Sequence, residues 1–162
     1  MLTPDGFDSG KKFPLVLFFH GSGERGNDNS SQLQHGSSLF VDKENRKKFP
    51  AFVVFPQCPE NTKWVDVDWK HESDIMPVSP TPTMNLVISL LDTLTKYLPI
   101  DTARIYVMGL SMGGFGTWDI ISRFPGKFAA AVPICGGGDE NQADRLIKTP
   151  IWAFHGSLDP LV

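Results

Sequence analysis

The chain has 162 residues, 41% of them hydrophobic and 20% charged, which suits one globular domain with a single core. A net charge of −3 and a pI of about 5.7 argue against nucleic acid or an anionic membrane as partner. No apolar run nears the roughly 18 residues of a membrane span.

The opening MLTPDGFDSGKK has neither the basic start nor the apolar stretch of a signal peptide. As written the chain reads as cytoplasmic, or as secreted if its start was trimmed. Phe13 to His20 (FPLVLFFH) is a continuous apolar run, which predicts a strand buried on both faces of a parallel sheet. Ser31 to Lys47 predicts a helix weakened by Gly36, and Ala51 to Pro56 (AFVVFP) a second strand. In NTKWVDVDW, Trp64 and Trp69 are candidate pocket walls, although aromatics more often pack the core. Asp66, Asp68 and Asp74 are too loosely spaced for a calcium loop and read as solvated carboxylates. Pro77 to Thr83 is an ordered loop rather than a linker.

Met84 to Leu98 carries Leu86, Leu90, Leu94 and Leu98 on one stripe beside Val87 and Leu91, a helix with Thr83 as N-cap and Pro99 as stop. Arg104 to Leu110 predicts a third strand, Met112 to Arg123 a helix and Phe128 to Cys135 a fourth strand. Glu140 to Ile147 predicts a short helix, and Pro150 to His155 a fifth strand. Gly136-Gly137-Gly138 is a turn; with no GK[ST] after any glycine cluster, a phosphate-binding loop is excluded. Cys58 and Cys135 show no metal-type spacing, and nothing in the chain calls for a metal or cofactor.

Strands alternating with helices predict right-handed βαβ units and an α/β fold, with function at the carboxyl ends of the strands. Those ends read FHGSGERG, FPQCPEN, GLSMGG, ICGGGDE and FHGSLDP. The third holds G-x-S-x-G at Gly109–Gly113, between a predicted strand and a predicted helix. Such a turn strains the serine, exposes its Oγ and aims the next amide, that of Met112, at a developing oxyanion. Ser111 is therefore the candidate nucleophile; the alternative is a glycine-rich turn whose serine caps a helix.

FPLVLFFHGSGERG, FPQCPENTKW, YVMGLSMGGFGTW, FPGKFAAAVPICGGGD and IWAFHGSLDPLV, in that order, resemble the α/β-hydrolase serine esterases. The resemblance is to the phospholipase/carboxylesterase and prolyl-oligopeptidase-like group. It implies a three-layer sandwich around a mostly parallel sheet, incomplete at its C-terminal edge. It makes Ser111 the nucleophile, Met112 and Ser22 (alternatively Gly23) the oxyanion donors, and Asp159 the orienting acid. It implies a short acyl ester as substrate, acetyl or feruloyl on carbohydrate, although a peptidase or amidase uses the same chemistry. Glu24 and Arg25 either contact substrate or form an ion pair bracing the oxyanion loop. In the implied strand order two strands separate the cysteines, which should not pair.

The base is the open position. His20, His35, His71 and His155 all precede Asp159, whereas this fold orders its triad Ser, acid, His. His20 is expected beside the nucleophile strand but held by its own loop. His155 is expected two strands away, and His71 lies in a loop of unknown reach. In the family a further strand and a histidine loop follow the acid. The chain is thus expected to be a truncated hydrolase, poorly active, with an exposed sheet edge through which copies pair. The competing reading is a hydrolase-fold binding module without catalysis.

Overall fold

The computed structural model describes residues 1–6, 10–69 and 75–159. Four parallel strands form the sheet: β1 (Phe13–Phe19), β2 (Phe52–Val54), β3 (Ile100–Leu110) and β4 (Ala130–Ile134), in the order β2-β1-β3-β4. β3 starts four residues earlier than the sequence predicts, because Ile100 pairs with Phe13 across a register shift before Leu15. The fifth predicted strand is corrected: Pro150 to His155 lies parallel to β4 but makes only isolated bridges at Ile151 and Phe154. Its run is tied by Trp152 N–H to Ala131 O and Phe154 N–H to Pro133 O, both 3.0 Å.

Alternation along the strands sorts the faces. Leu15, Leu17 and Phe19 of β1 and Ile105 and Val107 of β3 form one buried face. α3 (Pro82–Tyr97) contributes Met84, Val87 and Leu91 to the core this face builds, and α4 (Met112–Arg123) contributes Phe115, Ile120 and Ile121. The N-cap of α3 is Thr81, whose Oγ1 accepts from Met84 N–H, and not Thr83. Pro82 explains the correction: proline suits the first helical position, so the cap must precede it.

The opposite face is thinly covered. Phe18 packs under Phe40 and Phe55, and Val16, Tyr106 and Met108 are only half-buried. A groove of about 720 Å³ opens over Val16 and Tyr106 at the amino ends of β1 and β2, away from Ser111. Trp152 and Phe154 stack at 4.8 Å with 69% and 43% of their surface exposed.

One predicted helix is redrawn. Ser31 to Lys47 divides into a 3-10 turn (Ser31–Leu33), α1 (Ser37–Val41) and α2 (Lys43–Lys48). Gly36 forces the break: its φ is 79°, and a Cβ there would lie 2.5 Å from the Phe18 ring. The short helix predicted from Glu140 is present as a 3-10 helix, Glu140–Leu146. Cys58 and Cys135 are both free thiols, with β1 and β3 between the strands they follow.

Candidate active site

Ser111 joins β3 to α4 at φ 53°, ψ −120°, a conformation disfavoured for a residue with a side chain. Its side chain makes no capping bond to α4, which counts against the helix-cap alternative. Close packing fixes the turn. A Cβ on Gly109 would lie 2.3 Å from Gly113 O, and one on Gly113 would lie 2.2 Å from Phe19 O. Met112 opens α4, where an amide has no intrahelical acceptor.

The loop after β1 meets this turn. A Cβ on Gly21 would lie 3.6 Å from Ser111 Cβ and 3.0 Å from Glu24 Oε2. Ser22–Glu24 then forms one 3-10 turn, so the Ser22 and Gly23 amides also stand at a helix start. The structure thus brings Ser22, Gly23, Ser111 and Met112 to one edge of the sheet.

The loop is braced from several sides. His20, buried, has Nδ1 2.6 Å from Gly21 O and accepts at Nε2 from Cys58 N–H at 2.9 Å. Arg25 donates from Nε to Ser22 O (2.8 Å) and from Nη1 to Thr62 O (3.2 Å). Gln57, which belongs to no motif in the chain, donates to Glu24 O at 3.2 Å. Arg25 accordingly braces the loop through two backbone carbonyls. The expected Arg25–Glu24 ion pair does not form; Glu24 Oε1 lies 3.6 Å from His35 Nε2 instead.

Trp64 is corrected from pocket wall to core. It is fully buried, stacks 4.7 Å from Phe19 and donates its indole N–H to His20 O at 3.0 Å. Trp69 packs by Phe115, with Lys63 Nζ 4.9 Å above its ring. Asp66 and Asp68 are exposed, and no group of three or more metal-type side chains occurs among the described residues. His71 and Asp74 lie outside the described residues. Gly136, expected in a simple turn, lies against the α4 backbone: a Cβ there would be 2.5 Å from Gly114 C.

Asp159 stands in the loop after the fifth apolar run, with Oδ2 3.8 Å from His155 Nε2. None of His20, His35 and His155 is hydrogen-bonded to Ser111. A buried clamp ties α4 to the loop before α3. Arg123 pairs with buried Asp119 at 2.8 Å and holds the carbonyls of Pro77 and Val78. Its only sequence sign was an Asp and an Arg four apart on a predicted helix. Burial raises the Asp119 carboxyl pKa, against the pull of Arg123.

A parallel sheet with a strained serine at a strand-to-helix turn, faced by a glycine loop from the neighbouring strand, is the α/β-hydrolase arrangement. Residues 68–162 match the dienelactone hydrolase family, and the chain belongs to that family. It is similar to a thermostable esterase structure at 42% identity and a TM-score of 0.89, over 99% of this chain and 42% of that one. It is 28% identical over 149 residues to the bifunctional acetylxylan esterase/xylanase XynS20E of Neocallimastix patriciarum, covering 92% of this chain. It is 30% identical over 125 residues to poly(3-hydroxyalkanoate) depolymerase C of Paucimonas lemoignei, covering 76% of this chain. The chain spans 20% and 28% of those two proteins' lengths.

Proposed function

We propose that this chain carries the nucleophile and oxyanion loop of a serine carboxylic-ester hydrolase. Ser111 Oγ attacks the acyl carbon, and its proton passes to a base. The carbonyl oxygen becomes an anion held by the Met112 amide and by that of Ser22 or Gly23. Collapse expels the alcohol with a proton, and water then releases the acid from the acyl-enzyme. Asp159 is the acid that orients the base. The observation that carries this reading is the backbone of Ser111, strained at φ 53° between two glycines that admit no side chain. Similarity to an acetylxylan esterase supports a short acyl ester of carbohydrate as substrate class.

A second reading, a hydrolase-fold binding module, is favoured by one fact: no described histidine is bonded to Ser111. Losing the triad histidine costs about 10⁶ in kcat in subtilisin, so turnover without a base should be very slow. Acyl trapping separates the readings. After incubation with p-nitrophenyl acetate, peptide mass mapping should find acetyl on the peptide holding Ser111. Free imidazole should speed its appearance, and Ser111→Ala should abolish it. No acetylation with imidazole present, or ester loss above the protein-free imidazole blank that survives Ser111→Ala, overturns the esterase reading.

A further inference from the structure

We propose that His20 and Arg25 are positioning residues that orient and polarise the Ser22 and Gly23 amides as oxyanion donors; this rests on the esterase reading of Ser111.

The His20 ring lies between two backbone groups of opposite character. Cys58 N–H can only donate, and it reaches Nε2 at 2.9 Å; Gly21 O can only accept, and it faces Nδ1 at 2.6 Å. One state satisfies both, the neutral imidazole with its proton on Nδ1. Burial favours the same neutral state, and the Arg25 charge adds to it. The Gly21 acceptor and the Glu24 carboxylate pull the other way. An imidazole engaged at both nitrogens cannot take the Ser111 proton, which removes His20 as the base.

The peptide geometry carries the effect onward. The described chain has no cis peptide, so each N–H points opposite to the carbonyl of its own peptide group. Gly21 O turned to the His20 ring sets the Ser22 N–H away from it. Ser22 O held by Arg25 Nε at 2.8 Å likewise sets the Gly23 N–H. A donor on the oxygen of a peptide also strengthens its N–H, because hydrogen bonds in series polarise one another. Arg25 is itself fixed by Thr62 O, so the two arms are anchored outside the loop they hold. Gly21, lying against Ser111, is the residue whose peptide presents the Ser22 amide.

NMR on the intact ¹⁵N-labelled protein tests this without relying on turnover. Long-range ¹H–¹⁵N spectra at neutral pH should show His20 as the Nδ1–H tautomer with a bare Nε2. In His20→Asn the amide keeps a donor near the Nδ1 position. In His20→Gln it reaches the Nε2 position and loses Gly21 O. The Ser22 amide proton should therefore move upfield in His20→Gln and hold in His20→Asn, whereas Arg25→Leu should move that of Gly23. Imidazole-assisted acetylation of Ser111 should fall roughly tenfold in His20→Gln, less than the loss of a whole oxyanion donor, and stay near wild type in His20→Asn. An imidazolium or Nε2–H tautomer in the wild type overturns the proposal even if a variant fails to fold. Equal Ser22 shifts in both variants overturn it too. Ser111→Ala leaves the tautomer unchanged, so the acetylation result alone judges the esterase reading.

Discussion

His20 makes the stability of this fold depend on pH in a direction that can be worked out. Burial holds its folded-state pKa below the usual value of 6.5. The unfolded chain therefore takes up a proton on His20 before the folded one does as pH falls. The His20 contribution is complete above about pH 6.5 and is lost as pH drops from there toward the folded pKa. Urea midpoints measured in steps down from neutral pH should fall for the wild type and fall less for His20→Asn; equal slopes would show that His20 is not the source. Residues of this kind divide by how much chain they depend on. Ser111 and Met112 were legible because G-x-S-x-G needs only its own strand and helix. Trp64 was not, since the polar stretch around it gives no sign that its indole reaches His20 O, 44 positions away. Arg25 was half legible: its place in the loop could be read, but its two carbonyl partners could not.

Among the elements, α4 is held most tightly to the sheet. Gly113 sits with its Cα against the carbonyls of Phe19 and His20, where a methyl group would lie 2.2 Å from Phe19 O. Backbone cannot rotate aside as a side chain can. Gly113→Ala should therefore destabilise the protein toward or beyond the upper end of the about 1–3 kcal/mol typical of overpacking. It should also move Ser111. Urea unfolding checks the first effect and the Ser111 amide chemical shift the second; a variant unchanged in both would contradict the packing. α4 and the core of β1 were readable from periodicity because their burial is regular. The 31–47 span was not, since its break at Gly36 answers to Phe18 on β1, far away in the chain. The fifth apolar run read as a strand because its composition suits burial; it makes only isolated bridges because one edge alone finds a partner among the described residues.

Over the whole molecule the sheet is covered unequally. α3 and α4 seal one face, while Tyr106, Met108, Trp152 and Phe154 keep much of the other in water. An apolar face beside an edge strand invites a second copy. Sedimentation velocity should show self-association that grows with concentration and weakens in Trp152→Lys; a monomer at every concentration would count against it. The same half-covered sheet also bears on the heat capacity of unfolding. That quantity records apolar surface newly exposed to water, and surface already wet in the folded state adds nothing to it. A domain of this length would ordinarily show about 2 kcal/mol/K. The monomer should fall below that, so its stability should vary less with temperature than its size suggests, and association should restore part of the missing curvature.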